Sequence, residues 1–335
     1  MAVKKIDKAF DVLINHSIFI VIAVLTVAAS FTDASFWHDA PLSLLNKTAS
    51  TMILALGMGC VMLIGGVDLS AGRIMGLTSL VAASLLQTME AKHKIFPGME
   101  AWPIFAVLFL VIVIGGIIGA FNGFFVGKFR LHPFIVTLTT KLMLYGLMLI
   151  YLGWGTNRGM NIEKHIDEYT KLITNTVNIG SWQIPNHVWY SILIVLFVWV
   201  IWKFTGFGKK MRLYGGNREA AKSLNINPLI ITVGAFAMAG MLFGVDGFIN
   251  AARSGGPGAS AGSNAEFDAI AACLIGGVSG MGGIGKVGGI VLGVVFVQLF
   301  AVCLQWLSVS ANIAYILKGA LVLWAVIIDA RRHYN

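Results

Sequence analysis

The chain changes character at residues 65–73, which read Gly65-Gly66-Val67-Asp68-Leu69-Ser70-Ala71-Gly72-Arg73. This polar stretch separates two strongly apolar runs, 52–64 and 74–86. The paired glycines end the first run because they lack a Cβ atom, and Asp68 or Ser70 can accept the free N–H groups that open the next helix. The stretch therefore predicts a tight reversal between two membrane helices.

Arg73 is predicted to stand in the first turn of the second of these helices. The helix macrodipole disfavours a cation at that position, so the guanidinium needs an anionic partner, a phosphate surface or water. Asp68 is the nearest candidate partner in the sequence.

The composition excludes an ordinary soluble globule. Of the 335 residues, 57% are hydrophobic and 12% are charged, and 39 are glycines. These proportions are typical of an all-α polytopic membrane protein. The net charge of +9 does not indicate nucleic-acid binding. Basic residues in membrane proteins mostly mark cytoplasmic loops, and the sequence has no aromatic-basic interleaving suited to stacking bases.

Helices of about 20 apolar residues cross the hydrocarbon layer, and the sequence offers about ten candidates, some of them broken or short. They lie at 17–32, 48–65, 70–88, 103–128, 133–152, 188–203, 227–250, 265–279, 285–307 and 312–330. With a cytoplasmic amino terminus, most of the 24 basic residues fall on the cytoplasmic side, which supports both ends inside. We expect one transmembrane domain over 1–335, with its helices in a five-plus-five inverted arrangement.

The amino-terminal segment resembles a secretory signal peptide. Three lysines precede an apolar run, and Ala28-Ala29-Ser30 resembles a cleavage site. We interpret the segment instead as an uncleaved first helix, because many further spans follow it and the charge distribution fits with this helix in place.

Three segments carry a resemblance to a known family. They read Asp68-Leu69-Ser70-Ala71-Gly72-Arg73, Ala82-Ala83-Ser84-Leu85-Leu86-Gln87 and Lys94-Ile95-Phe96-Pro97. The first resembles the signature of the permease subunits of bacterial ATP-driven sugar importers, in the ribose, xylose and galactose branch. Together the three are most similar to the galactose/methylgalactoside permeases, over nearly the whole chain. The resemblance implies an inner gate loop that contains Gly66, Asp68, Ser70, Gly72 and Arg73.

The same resemblance implies the partners and the location. A permease of this kind lies in the bacterial inner membrane and pairs with a second copy as a homodimer. It works with a cytoplasmic ATP-binding subunit, which carries ATP and Mg²⁺, and with a soluble sugar-binding protein outside. The chain itself is then a transport subunit without catalytic residues, cofactor or metal. Ribose, xylose or a nucleoside are alternatives to galactose as the cargo.

The cytoplasmic loop 204–226 contains a second informative segment, Asn217-Arg218-Glu219-Ala220-Ala221-Lys222. A capping asparagine, an acid in the first turn, two alanines and a basic residue near the end predict a short surface helix. The segment resembles the coupling loop of import permeases, whose small residues let a helix seat in a cleft of the ATP-hydrolysing subunit. Asn225 stands where that family has glycine, and asparagine also tolerates the left-handed conformation that ends helices.

Glycines recur at every fourth position of the fourth span, at Gly115, Gly119, Gly123 and Gly127. This stripe predicts close packing against a neighbouring helix. Asn122 lies beside the stripe and is the polar group of an otherwise apolar span. It either hydrogen-bonds across helices or faces a translocation path.

Four charged residues of the predicted spans are expected at membrane depth: Lys141, Asp246, Asp268 and Lys318. The two acids lie toward the outer ends of their spans, where water is close, and the lysines can snorkel or pair with them. We expect structural ion pairs here, and we keep Asp268 as a candidate for the translocation path.

The outer segment 153–187 is polar and carries aromatic residues at its end, which makes it the candidate docking surface for a soluble binding protein. Residues 280–287 imitate nucleotide-binding loops. Val287 replaces the hydroxyl that a P-loop needs for Mg²⁺, and no soluble strand precedes the glycines, so we interpret them as an inner turn.

Two other classes of function remain. An ion-driven secondary transporter should show intramembrane acids that face the bundle interior, and a membrane-embedded enzyme should show a nucleophile–base pair or metal ligands. An importer subunit accounts best for the helix around Glu219, because the chain has no complete energy-coupling machinery of its own.

Overall fold

A computed structural model describes residues 20–33, 35–180 and 182–334. Apart from one small hairpin, the regular structure of this part of the chain is helical. The helices are α1 (Ile20–Ser30), α2 (Phe36–Leu63), α3 (Ala71–Leu85), α4 (Ile104–Phe129), α5 (Pro133–Leu152), α6 (Asp167–Thr174), α7 (Asn186–Phe204), α8 (Gly206–Gly216), α9 (Arg218–Ser223), α10 (Pro228–Ser254), α11 (Ala265–Ile275), α12 (Val287–Trp306) and α13 (Ala311–Tyr334). The hairpin pairs β1 (Thr176–Ile179) antiparallel with β2 (Trp182–Pro185).

Seven of the described helices are long and apolar enough to cross a membrane, namely α2, α4, α5, α7, α10, α12 and α13. The protein is therefore a multi-pass membrane protein. α1 and α3 are apolar but shorter. Ten spans, a five-plus-five arrangement and cytoplasmic placement of both ends stay predictions. The basic residues before position 20, and with them most of the signal-like segment, lie outside the described residues.

The predicted span 265–279 is wrong as a crossing helix. α11 has 11 residues and is about 16 Å long, whereas the hydrocarbon layer is about 30 Å thick. The helix ends at a glycine pair, because Gly276 is its C-cap and Gly277 adopts the left-handed conformation with φ 77°. Residues 280–286 form a turn, as interpreted from their glycines.

α2 is longer than predicted. It begins at Phe36 rather than near 48 and runs for 28 residues. The segment 36–47 includes His38, Asp39 and Lys47, which lower its hydropathy without preventing a helix. The second half of α2 is buried almost without interruption, so this helix forms the centre of the bundle.

α10 packs against α2, α3 and α4, and the glycine stripe lies in its contact with α4. A Cβ atom on Gly115 would lie 2.1 Å from the carbonyl oxygen of Gly240, and one on Gly119 would lie 2.1 Å from that of Phe236. Gly123 faces the backbone of Val233 in the same way. The two helices therefore run antiparallel with their backbones in direct contact, which only glycine permits.

Candidate functional site: a buried polar cluster and an exposed helix

The reversal between α2 and α3 is built around a buried carboxylate. Asp68 is fully buried, and its Oδ1 accepts hydrogen bonds from the Ser70 amide at 2.8 Å and the Ser70 hydroxyl at 2.5 Å. Gly66 donates its N–H to the carbonyl of Val61 at 3.0 Å. The tight turn is as predicted, but Ser70 itself makes no side-chain cap, because its hydroxyl is used by Asp68.

Asn122 connects this reversal to two further helices. Its Nδ2 donates to the Ser70 hydroxyl at 2.9 Å, and its Oδ1 accepts from the Thr140 hydroxyl at 2.7 Å. The side chain is completely buried. Asn122 thus joins the start of α3 to α4 and α5 through cross-helix hydrogen bonds, and its role in a translocation path stays a prediction.

Arg73 does not pair with Asp68, the nearest candidate partner in the sequence. Its guanidinium donates to the carbonyl oxygens of Ala259 at 3.0 Å and Ala261 at 3.3 Å, and it lies over the ring of Tyr145 at 4.5 Å. The Oδ1 atom of Asp68 accepts from Ser70 instead. Arg73 is buried inside the bundle rather than placed at a cytoplasmic surface, because the connection between α10 and α11 folds back and supplies these carbonyl groups.

Gly72 makes the close approach of that connection possible. A Cβ atom at Gly72 would lie 2.2 Å from the carbonyl oxygen of Gly262, and one at Gly76, a turn further along α3, would lie 2.3 Å from that of Ala261. A side chain at either position would push the two segments apart. The connection 255–264 can therefore reach Arg73 only because α3 carries glycines, without side chains, at the two positions that face it.

A further buried carboxylate, which the sequence did not indicate, lies beside Gly72, where an added Cβ atom would meet Oε2 of Glu266. Glu266 is completely buried at the start of α11, and Lys141 donates directly to its Oε1. Lys141 lies near the middle of α5, so Glu266 lies far from either membrane surface. In the sequence, Glu266 lies near the edge of a predicted span, which does not indicate that it is deeply buried. Its burial depends on residues 255–264 folding back into the bundle, and the local sequence does not show this path.

The other charged residues of the spans follow the expectations in part. Lys318 donates to Asp268 at 2.8 Å, which confirms an ion pair. Asp246 does not reach water: it is 1% exposed and accepts from the Ser50 hydroxyl at 3.3 Å. It is buried because α10 continues past it to Ser254, so its span is longer than predicted. Lys141 pairs with Glu266 rather than with either predicted acid.

We name these residues the buried cluster: Asp68, Ser70, Arg73, Asn122, Thr140, Lys141 and Glu266. They come from α3, α4, α5, α11 and the reversal before α3. Asp268, the second residue proposed for the translocation path, lies on α11 but points to Lys318 on α13. Among the described residues, no three His, Cys, Asp or Glu side chains are arranged to hold a metal ion.

The segment around Glu219 forms the short helix α9. The Asn217 side chain accepts from the amides of Glu219 at 3.0 Å and Ala220 at 2.9 Å. Asn225 has φ 52°, the left-handed conformation expected after a helix. Only Ala221 is buried, whereas Arg218, Glu219, Ala220 and Lys222 are exposed. The helix therefore presents one open face.

α9 directly follows α8, and the end of α8 contacts the end of α2 through backbone atoms, next to the reversal at 65–73. A Cβ atom on Gly215, near the end of α8, would lie 2.0 Å from the carbonyl oxygen of Leu63, the last residue of α2. The same carbonyl accepts the N–H of Gly283 at 2.9 Å. The ends of α2 and α8 and the turn 280–286 therefore meet at one point, immediately before residues 65–73.

Segment 153–187, which is predicted to lie outside, contains regular structure and contacts the bundle. It contains α6 and the hairpin, and Tyr169 donates its hydroxyl to the carbonyl of Phe248 on α10. Burial lowers the pKa of His165, which bridges to Gln87 through the backbone. Val177 and Ile179 on β1 remain exposed. The segment is thus fixed on the bundle, while β1 keeps its side chains exposed.

Comparison with known proteins assigns the chain to a family. The profile described as branched-chain amino acid transport system / permease component matches residues 40–326. The chain belongs to this family. It is therefore a permease component of a transport system, and the buried cluster and α9 both lie within the matched residues.

Several curated relatives of this permease cover nearly its whole length. The galactose/methyl galactoside import permease of Salmonella typhimurium is 35% identical over 318 residues, which are 94% of each chain. The protein of the same name from Haemophilus influenzae is 33% identical over 98% of this chain and 97% of its own. The ribose import permease of Haemophilus influenzae is 32% identical over 95% and 93%. No solved structure matches.

Proposed function

We propose that this permease is the membrane-spanning subunit of an ATP-binding-cassette importer that translocates a monosaccharide, with galactose or a methylgalactoside as the cargo. The names of its relatives support this cargo, and ribose is the alternative that they leave open. Two copies would form the pathway in the bacterial inner membrane. A separate subunit would hydrolyse ATP with Mg²⁺, and a soluble binding protein would deliver the sugar.

The observation that carries the proposal is α9. Glu219 and Ala220 lie on its open face, and the helix is held by its own cap, so a partner can bind this face without disturbing the bundle. An ATP-binding subunit seated on α9 would push on the end of α8. Because Gly215 contacts Leu63, that displacement would reach the reversal before α3 directly.

The mechanism that follows is alternating access. ATP binding draws two ATP-binding subunits together, and their differential affinity for two permease conformations shifts the population between them. The reversal, held to α4 and α5 by Asn122, is the element that would move with α2 and open or close the inner end of the path. The sugar needs only weak binding inside, because it must be released, so selectivity rests mainly with the binding protein.

The test is uptake of labelled galactose into vesicles that contain the permease and its ATP-binding subunit, with ATP inside and the sugar-binding protein outside. We expect uptake only when all components are present, and competition by methylgalactoside but not by ribose. Competition by ribose alone would keep the importer and change the cargo. Complete assemblies that show no ATP-dependent uptake of any monosaccharide would overturn the proposal.

A second candidate function rests on a specific observation. Buried carboxylates at membrane depth are a feature of ion-driven secondary transporters, and Asp68 and Glu266 are both completely buried. Glu266, however, is paired with Lys141, and Asp68 is held by Ser70, so both have structural partners. The ion-driven alternative predicts uptake by the permease alone under a proton or sodium gradient.

A further inference from the structure

A basic cavity lies beside α9, between the α4–α5 turn and the start of α10. Its volume is about 570 Å³. Four cationic side chains contribute to its lining: Lys128, Arg130, Arg218 and Lys222. Within the part of the chain that the structure describes, this lining includes no Asp or Glu. Like charges gathered in one concavity raise the local potential and attract an anion.

Among the described residues, none of the four cations of this cavity forms an ion pair with a carboxylate. Arg218 lies over the ring of Tyr214 at 5.5 Å. For Lys128, Arg130 and Lys222 the described residues provide no carboxylate within 4.0 Å. Arg130 ends α4 at φ 55°, a left-handed conformation that non-glycine residues adopt at a cost. The chain therefore holds Arg130 at the cavity without any described internal ion pair to account for it.

The position of the cavity matches the headgroup layer of a membrane. Three membrane helices have their ends here: α4 ends at Phe129, α5 begins at Pro133 and α10 begins at Pro228. Apolar side chains also line the cavity, among them Leu229 and Leu131, which is 44% exposed. A free phosphate would use only the cations, whereas a phospholipid would use both the cations and this apolar lining.

We propose that this cavity binds the phosphate headgroup of an anionic phospholipid, with the acyl chains along Leu131 and Leu229. The inference goes beyond sugar transport and does not depend on the cargo. Because Arg218 and Lys222 belong to α9 while Lys128 and Arg130 belong to the α4–α5 region, the bound lipid connects the two. It thereby holds α9 against the membrane surface.

The test is equilibrium binding of a fluorescent phosphatidylglycerol to the full-length permease in neutral detergent. We expect one saturable site that phosphatidylcholine fills at least tenfold more weakly. Inorganic phosphate at millimolar concentration should not displace the lipid. Equal binding of phosphatidylcholine would overturn the role of charge, and displacement by phosphate would reassign the cavity to a free anion.

Matched variants locate the site. The double substitution Lys128→Gln and Arg130→Gln should weaken phosphatidylglycerol binding by more than tenfold, since each cation near an anionic lipid contributes about a fivefold factor. Lys209→Gln with Lys210→Gln removes two exposed cations of α8 outside the cavity and should leave binding unchanged. If both double variants lose phosphatidylglycerol binding equally, the lipid binds through general surface charge and the proposed site is wrong.

The remaining alternative is an acidic surface of the ATP-binding subunit. Stoichiometric release of the bound lipid when that subunit is added would assign the cavity to the protein partner and overturn the proposal. The comparison of phosphatidylglycerol with phosphatidylcholine uses the unaltered permease, so it decides the matter even if a variant fails to fold. Lipid binding is measured without transport, and its failure therefore differs from failure of the importer function.

Discussion

The exposed helix α9 and the buried cluster are held in place by opposite means. The structure of α9 depends on its own neighbours, since Asn217 caps it and Asn225 ends it. The buried cluster depends on residues far away in the sequence, as when Arg73 donates to the carbonyl of Ala259. The difference predicts that changes on α9 affect the action of partners, whereas changes in the cluster affect the stability of the bundle.

The largest effect on stability is expected for Glu266→Gln. The substitution leaves the Lys141 ammonium without its carboxylate inside the bundle, which should cost about 3 kcal/mol or more in the free energy of unfolding. Thermal unfolding in detergent measures it. The double variant Glu266→Gln with Lys141→Met removes both charges and should recover most of the loss, and a single variant as stable as the parent would contradict the burial of this pair.

A smaller loss is expected for Gly119→Ala. The added methyl would lie 2.1 Å from the carbonyl oxygen of Phe236, so α4 and α10 must separate, at a cost of about 2 kcal/mol. Gly146→Ala is the matched control on α5, where an added Cβ meets nothing within 4 Å. Both are compared by their thermal midpoints. Equal midpoints for the two variants would show that the glycine stripe is not a packing contact.

Arg73→Lys tests the centre of the cluster more gently. A lysine keeps the charge but cannot donate to both Ala259 and Ala261 while stacking on Tyr145, so a loss of about 1 kcal/mol is expected. Limited proteolysis within residues 255–264 provides a second readout, because this connection loses its anchor. Unchanged stability together with unchanged protection would leave Arg73 without the structural role described for it.

The smallest effect on stability, and the largest on coupling, is expected for Glu219→Arg. The side chain is exposed, so unfolding should shift by less than about 0.5 kcal/mol. Co-purification of the ATP-binding subunit should nevertheless be lost. Glu168→Arg makes the same change in the first turn of α6, within the outer segment, and should leave co-purification intact. Retained association with Glu219→Arg would remove α9 as the docking element.

The sequence predicted what depends on local chemistry. The cap at Asn217, the left-handed Asn225 and the tight turn at 65–73 follow from residues within a few positions of each other. The pairing of Lys141 with Glu266 could not be predicted, because it requires residues 255–264 to re-enter the bundle. That path requires glycine at both 72 and 262, because a side chain at either position would collide with the backbone at the other. The two residues are far apart in the sequence, so their contact is known only from the packed structure.

The misplacement of Arg73 has the same physical origin. Hydropathy treats a cation beside an apolar run as a surface residue, whereas here backbone carbonyls and an aromatic ring replace water around the guanidinium. The buried acids Asp68 and Glu266 likewise have partners inside the bundle, Ser70 and Lys141, in place of water.

The central claim is that this permease is driven by a separate ATP-hydrolysing subunit. The direct measurement is accumulation of labelled galactose in vesicles that contain the permease alone, with a proton or sodium gradient imposed. The account predicts no accumulation above the outside concentration until the ATP-binding subunit, the binding protein and ATP are added. Uphill accumulation by the permease alone under either gradient would contradict it.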